Sequence, residues 1–129
     1  MTQTRLHPTH VEGNFRMVPV GPDTFAIVSP EDYPTLKNYR WRLVRAKWNS
    51  YAKAEYKRDG KRYTISMHRL VAHTPFGMIC HHINSRTLDN RRQNLRNMSK
   101  SDHKILHTTN SLQIKYEPIS ETTQPLPIP

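Results

Sequence analysis

The sequence predicts a small α+β protein in which an antiparallel β-sheet is followed by a strand, a polar loop, an extended segment and a helix. Three consecutive segments, 39–46, 50–58 and 61–68, alternate between apolar and polar side chains, as strands with one buried face do. Residues 84–90 (NSRTLDN) consist largely of turn-forming residue types. Ser99 precedes the run KSDHKILHTT as a helix-capping serine. A chain of 129 residues is expected to form one compact domain with tails.

The N-terminal part predicts short elements. Residues 1–14 are polar and unpatterned, so we expect a flexible arm. Two short β-like runs follow at 15–20 and 25–29, separated by the turn signal Gly-Pro-Asp. Ser29 then predicts the start of a short helix, with proline at its first position and acidic residues in its first turn, which should end by Asn38.

The next segments predict a hairpin with two unlike faces. Ala52, Ala54 and Tyr56 should face one side, while Lys53, Glu55 and Lys57 face the other. The tripeptide Arg-Asp-Gly at 58–60 is typical of a tight hairpin turn. We therefore predict a basic, β-rich docking module over residues 15–67.

The C-terminal part predicts a second unit at 68–110. It begins with a helical segment that must end before Pro75, since a proline disfavours helix in the residue before it. A strand (78–83), the polar loop and an extended stretch (91–99) come next. In the last helix Asp102 lies three residues after Ser99, a variant of the capping box. The proline-rich end, 111–129, has no period and predicts a disordered tail.

The charge of the chain is concentrated in its middle. Residues 37–104 contain 17 Lys and Arg against 4 Asp and Glu, while the whole chain has a formal net charge of +10. Such a basic segment between mildly acidic ends favours a polyanionic partner, foremost nucleic acid. The alternative is a basic surface that only maintains solubility.

Composition also excludes several classes. Cys80 is the only cysteine, which rules out an intrachain disulfide or a CxxC zinc site and fits a reducing compartment. No stretch approaches the roughly 18 apolar residues of a membrane span. Hydrophobic residues make up 35% of the chain, below the usual share of about 45–50%, so we expect a small core. The prediction is an intracellular protein without membrane contact.

Three histidines combine into a candidate site. His81 and His82 end the predicted strand, and His103 lies in the second turn of the last helix. Two imidazoles from different elements can hold one metal ion. A further imidazole beside them can accept a proton from water, because its unperturbed pKa is about 6.5.

At these residues the sequence resembles the HNH nucleases, the ββα-metal or His-Me-finger family. The resemblance is carried by His68-Arg69-Leu70, His81-His82-Ile83-Asn84, the run LDNRRQNLR at 88–96, Ser99 and His103. The upstream run from about residue 25 also resembles the N-terminal part of small phage and intron-associated members, including homing endonucleases. The resemblance implies a ββα-metal core after the N-terminal sheet module.

The resemblance also implies a mechanism. His82 would be the general base, and His81 and His103 would be the protein ligands of one divalent cation. Asn90 would brace the loop and hold the His82 ring. The cation would be Mg²⁺ or Mn²⁺, with Zn²⁺ or Ni²⁺ as alternatives, and the products would carry a 5′-phosphate and a 3′-hydroxyl.

The expected substrate is double-stranded DNA, although charge alone does not distinguish it from RNA. The predicted nucleic-acid contacts are His68, Arg69, Arg91, Arg92, Arg96, Lys53, Lys57 and Arg62. The resemblance suggests a phage, prophage or mobile intron in a bacterial cytoplasm. A monomer is slightly favoured, and with one site it would nick a single strand.

Two positions depart from the common pattern of the family. His81 stands where many members have Asp, which shifts the ligands toward nitrogen and so toward Zn, Ni, Co or Mn. Mg remains compatible, because phosphate and water would supply oxygen ligands. Ser85 stands where many have Gly, so a positive φ at this position would be strained.

Several alternatives stay open at this stage. Asp89 pairs with a neighbouring arginine or caps the loop, which is favoured, or else it binds metal. Trp41 is expected in the core under the short helix, whereas Trp48 is either packed or stacked on bases. The rival functions are a non-catalytic DNA-binding protein on the nuclease scaffold and a structural zinc module in which His81, His82 and His103 are all ligands.

Overall fold

The computed structural model describes residues 13–109. Within them the strands are β1 (Arg16–Gly21), β2 (Thr24–Val28), β3 (Trp41–Arg45), β4 (Ser50–Arg58), β5 (Lys61–Ser66), β6 (Ile79–His82), β7 (Asp89–Asn90) and β8 (Leu95–Met98). The helices are α1 (Tyr33–Leu36), α2 (Met67–Ala72) and α3 (Lys100–Thr109), with 3-10 turns at Pro30–Asp32 and Arg92–Asn94. The predicted tail at 111–129, and the predicted arm up to residue 12, lie outside the described residues.

The strands of residues 13–109 form three small sheets, so the predicted α+β class is confirmed. Their orders are β1-β2-β7, β3-β4-β5 and β6-β8. All pairs are antiparallel except β2 with β7, which run parallel and align Ile27 with Asp89 and Val28 with Asn90. The parallel pair joins the N-terminal hairpin to the polar loop that ends at Asn90.

One hydrophobic core serves the whole described region. It takes in residues on both sides of the predicted boundary at 67–68: Val18 and Ile27 come from the first sheet, Ala54 from β4, and Leu88 and Leu95 from the predicted nuclease unit. Burial of these side chains is the main force that holds the sheets together. The two predicted units therefore pack as one body around a shared core.

The hairpin of β4 and β5 has the two predicted faces. Ala52 and Ala54 are buried, whereas Glu55 and Lys57 on the opposite face are exposed. Asp59 and Gly60 form the turn with φ of 52° and 78°, the left-handed pair that a tight hairpin turn requires. The basic residues of the hairpin consequently remain on its solvent side.

The short helix α1 also follows the prediction, with one correction. Trp41 is 7% exposed, and its Nε1 donates to the Leu36 carbonyl at 2.7 Å, so it does pack under this helix. Pro34 lies in the first turn of α1, where a missing N–H costs nothing. The Ser29 hydroxyl makes no cap there, and accepts instead from the backbone N–H of Arg92 at 3.0 Å.

The last helix begins as predicted, because the Asp102 N–H donates to the Ser99 Oγ at 3.0 Å. The stretch before this helix, residues 91–99, was predicted to be extended throughout. Only β8 is extended, and a 3-10 turn at Arg92–Asn94 precedes it. No helix within residues 13–109 is long and apolar enough to cross a membrane.

Candidate functional site

A cleft of about 400 Å³ lies between the β3-β4-β5 sheet and the unit formed by β6 and α3. Residues of β4 and of the turn before it form one wall, and residues of β6, the polar loop and α3 form the other. The lining residues that carry chemistry are Tyr51, Lys53, His68, His81, His82 and His103. All three histidines of the predicted centre therefore reach one cleft.

His81 and His103 come from different elements and meet at the cleft. Their ring centroids are 5.5 Å apart and their planes are inclined by 69°. His81 lies on β6, and His103 follows the capped N-terminus of α3, whose first turn is fixed by the Ser99 hydroxyl. The predicted pair of metal-ligating imidazoles is thus brought together by the end of one strand and the start of one helix.

His82 is buried, with 6% of its surface exposed. Its Nε2 lies 2.8 Å from the Oδ1 of Asn90, which is itself fully buried. An amide oxygen only accepts hydrogen bonds, so Nε2 carries the hydrogen and Nδ1 retains a lone pair. Asn90 consequently holds the ring in the tautomer that leaves one nitrogen able to accept a proton, as the family resemblance implied.

Asn90 is positioned by tertiary contacts rather than by its own loop alone. It lies on β7, which pairs with β2 and so rests on the core. Within the described residues its Nδ2 is buried without a hydrogen-bond partner. Such an unsatisfied donor costs about 1–3 kcal/mol. The Asn90 side chain is therefore held at His82 by its surroundings, at some expense in stability.

His68 extends the buried imidazole of His82 into a stack. The ring centroids of His68 and His82 are 4.9 Å apart. The Tyr51 ring stacks on His68 with a centroid distance of 5.4 Å. Burial, together with the smaller effects of the neighbouring His82, Arg69 and Lys53, lowers the pKa of His68 from 6.5 to about 3. His68 is thus an uncharged ring that packs against His82 at neutral pH.

The pKa of His82 is lowered as well. Burial is the main cause, while the hydrogen bond that His82 donates to Asn90 and the charge of Asp89 act in the opposite direction. A lowered pKa keeps the imidazole neutral at neutral pH, which is the form that accepts a proton.

The polar loop between β6 and β7 is braced by amide side chains. Asn94 donates from Nδ2 to the Asp89 carbonyl at 2.8 Å and accepts from the Asn84 N–H at 3.0 Å. The Asn84 side chain in turn donates to Asp89 at 2.8 Å. Asn94 thus ties down the loop backbone, and its partnership with Asn84 could not be foreseen from the sequence, because both residues look like ordinary loop residues.

Ser85 adopts a φ of 65°. The polar loop therefore does use the left-handed conformation at the position where many HNH nucleases have glycine. For a residue with a Cβ this conformation costs roughly 1–2 kcal/mol. The Ser85 N–H donates to the His82 carbonyl at 3.1 Å, and this tight turn returns the chain beside the cleft.

Two predicted DNA contacts are engaged in ion pairs inside the protein. Arg91 binds Asp89 through two nitrogens at 2.8 Å each, so the favoured pairing of Asp89 is confirmed. Arg92 binds Asp32 in the same two-pronged manner. Both guanidinium groups are only 11% exposed. The structure gives these arginines a bracing role, and their contact with DNA stays a prediction.

The remaining predicted contacts lie in four settings. Arg69 donates to the carbonyls of Met78 and Pro75, so it braces the chain between α2 and β6. Arg96 lies on β8 directly opposite His81. Lys53 lines the cleft, whereas Lys57 and Arg62 face each other on the exposed part of the hairpin. Of these five residues only Lys53 lines the cleft with the histidines. Lys57 and Arg62 form a separate basic surface on the hairpin.

Tyr51 and Thr87 were missed by sequence reasoning. Tyr51 lines the cleft and stacks on His68. The Thr87 hydroxyl donates to the Ser50 carbonyl, which ties the polar loop to the start of β4. The alternation of β4 places Tyr51 on the same face as Lys53 and was a usable signal, but no pattern in the sequence pointed to Thr87.

The donor set fits a divalent cation that is only partly held by protein. His81 and His103 would supply two nitrogen ligands at the cleft. Catalytic metals commonly keep positions for water or substrate. Water and phosphate oxygens would complete such a site.

Comparison of this chain with protein-family models, with curated proteins and with solved structures finds no match.

Proposed function

We propose that this protein is a metal-dependent HNH endonuclease that nicks or cleaves double-stranded DNA by hydrolysis of a phosphodiester. The observation that carries the proposal is the arrangement of three imidazoles in one cleft. His82 is locked by Asn90 in a proton-accepting tautomer, while His81 and His103 face each other 5.5 Å apart. A ββα-metal core, formed by β6, β8 and α3, is part of this proposal.

The residues of the chain divide the chemistry among them. The Nδ1 atom of His82 accepts a proton from a water molecule, whose oxygen then attacks phosphorus. The bond from phosphorus to the 3′-oxygen breaks, and this oxygen leaves with the bonding electron pair and takes a proton from solvent water, which gives a 5′-phosphate and a 3′-hydroxyl. His81 and His103 would hold the divalent cation, which supplies positive charge to the phosphate and the leaving oxygen when bound. Asn90 is a positioning residue, since it acts through His82.

Lys53 supports a phosphodiester as the ligand of this cleft. It is the permanently charged cation among the described residues that line the cleft, and it lies on the same strand face as Tyr51. A positive charge in a partly enclosed cleft attracts phosphate more strongly than one in open solvent. The exposed cations of the adjacent hairpin extend this field along the sheet and would contact the DNA backbone.

The decisive experiment is plasmid relaxation by wild type and His82→Ala with Mg²⁺, Mn²⁺, Ni²⁺, Zn²⁺ or EDTA. We expect metal-dependent nicking that falls by about 10²–10⁴-fold in His82→Ala, the usual contribution of a general base. His73→Asn is the matched control, because His73 is exposed and lies outside the cleft at a left-handed position that asparagine tolerates. Nicking that survives in His82→Ala would remove His82 as the base.

A second candidate function is DNA binding without cleavage on the same scaffold. The exposed cations of β4 and β5 favour it, because they lie apart from the cleft and can hold a duplex without any reaction. Salt-sensitive binding that is equal in wild type and His82→Ala, with no cutting by any metal, would support it. A structural zinc site with three histidine ligands is less favoured, because the His82 ring packs against His68 and Tyr51, whereas the His81 ring lies against His103.

A phage, prophage or mobile intron as the genetic setting belongs to the same proposal and rests on the sequence resemblance.

A further inference from the structure

The turn between β3 and β4 exposes a large aromatic side chain beside the cleft. Trp48 is 82% exposed, although indole is among the most costly side chains to leave in water. The turn that carries it is closed by a hydrogen bond of 2.7 Å from the Ala46 N–H to the Asn49 carbonyl. Arg45 and Ser50 pair directly below it. Trp48 is therefore presented at the tip of a formed hairpin.

The position of this tip relative to the cleft is fixed. Ala46 and Asn49, the residues that close the turn, line the cleft together with the histidines. The Thr87 hydroxyl, from the polar loop of the opposite wall, donates to the Ser50 carbonyl at the base of the turn. Trp48 consequently belongs to a turn whose neighbouring residues line the cleft, and the base of this turn is held by a bond that crosses from one wall to the other.

The surroundings of Trp48 are cationic rather than apolar. The Nζ atom of Lys47 lies 5.2 Å from the centre of the indole ring, and Arg45 is exposed on the adjacent strand end. A lipid surface or a protein partner would be matched by a wider apolar patch. An aromatic ring beside two cations instead complements a nucleotide, whose base stacks on the ring while its phosphate meets the charges.

We propose that Trp48 is a stacking platform for an unpaired base of the nucleic-acid strand whose phosphodiester enters the cleft. The proposal rests on the proposed function in taking DNA as the partner. A base inside a regular duplex has both faces covered by its neighbours, so the exposed indole can stack only on a base that is unpaired or displaced. Trp48 is therefore expected to engage a base at single-stranded, bulged or mismatched positions, while the exposed cations of β4 and β5 can hold the adjoining duplex.

The test measures binding in EDTA, so that cleavage does not interfere. Tryptophan emission and affinity are followed during titration with single-stranded oligo(dT) and, separately, with a regular duplex of equal length. Oligo(dT) should quench wild type, and Trp48→Ala should lose the quench and bind oligo(dT) roughly 5- to 150-fold more weakly, the usual range for one stacked base. Trp48→Phe should recover most of the affinity, since it keeps an aromatic face.

Phe76→Ala is the matched control. Phe76 is a fully exposed aromatic residue in the connection between α2 and β6, and it does not line the cleft. Its removal should leave both the quench and the affinity unchanged. Because the remaining tryptophan, Trp41, is buried and bonded to Leu36, its emission reports that each variant is folded.

The outcomes separate this inference from the proposed function. Equal affinity of wild type and Trp48→Ala for oligo(dT), with plasmid nicking intact, overturns the stacking platform and leaves the nuclease. A quench of Trp48 by oligo(dT) without nicking by any metal supports the platform and removes the nuclease. A blue shift of the emission with phosphatidylglycerol vesicles, without any quench by oligo(dT), overturns the platform in favour of a membrane surface.

Discussion

The arginines beside the polar loop and the cations of the β4–β5 hairpin are the same residue types in different surroundings. Arg91 and Arg92 are 11% exposed and each binds a buried aspartate. Arg62 is 65% exposed and approaches Glu55 only to 3.8 Å. Arg91 and Arg92 stabilise the fold around the cleft, while the cations of the hairpin remain available to a polyanion. A high positive charge in the sequence therefore overstates the surface that can bind DNA.

The same contrast divides the two walls of the cleft. In the wall with His82, this residue is buried and the wall is held by Asn90, Asn94 and the ion pairs, which is the rigid support that the proposed general base requires. The wall with Lys53 continues into an exposed sheet and ends at Trp48. We expect changes in the first wall to affect stability and cleavage, and changes in the second to affect binding.

The largest effect on stability is expected from the buried ion pair. Asp32→Asn leaves Arg92 without its charged partner and should lower the free energy of unfolding by about 3–5 kcal/mol. The exposed pair of Arg42 with Glu55 provides the control, because Glu55→Gln should cost less than about 1 kcal/mol. Urea denaturation of both variants measures the difference. Similar losses in the two would contradict the division between bracing and exposed charges.

An intermediate effect is expected from acid. The folded protein holds the pKa of His68 at about 3, below its unfolded value, so the unfolded chain binds more protons as the pH falls. The free energy of unfolding should be unaffected by this group above about pH 6.5. Below that pH it should decline toward pH 3, by up to about 1.4 kcal/mol per pH unit. His68→Phe keeps a ring in the stack and should flatten the decline in urea denaturation followed against pH. A profile identical to wild type would show that His68 is not buried as an uncharged ring.

The smallest effect is expected on the exposed hairpin. Lys57→Gln should leave urea denaturation unchanged and reduce the slope of log affinity for duplex DNA against log salt by about 0.9, the value for one phosphate contact. Arg92→Gln should show the reverse, with a loss of stability and little change in slope. An unchanged slope for Lys57→Gln would place the duplex on another face of the protein.

Local features of the fold could be predicted because local chemistry determines them. The Arg-Asp-Gly turn, the Ser99 cap, the alternation of β4 and the burial of Trp41 under α1 all depend on neighbouring residues. The parallel pairing of β2 with β7 could not be predicted, because the sequence of a strand does not indicate which distant strand it pairs with. The 3-10 turn at Arg92–Asn94 was missed for a related reason, because the Ser29 hydroxyl and the Asp32 carboxylate hold it from a distant segment.

The candidate site divides in the same way. The convergence of His81 and His103 followed from their order along a strand, loop and helix, and the structure brings them together as expected. The stack of Tyr51 on His68, the bond from Thr87 to Ser50 and the cleft itself arise only when the sheet meets the polar loop. The Asn84–Asn94 pair belongs here as well, because an amide is indistinguishable in sequence from any other loop residue.

The sequence by itself determined the α+β class, the hairpin with one basic face, the capped last helix and the concentration of imidazoles near β6. These depend on hydrophobic period, turn chemistry and spacing, which are properties of adjacent residues. Only the tertiary structure decided which basic side chains form ion pairs with buried carboxylates and which wall of the cleft each histidine occupies. The physical reason is that burial and pairing depend on partners from distant segments, and these alone determine whether a basic or polar side chain stabilises the fold or stays available to a ligand.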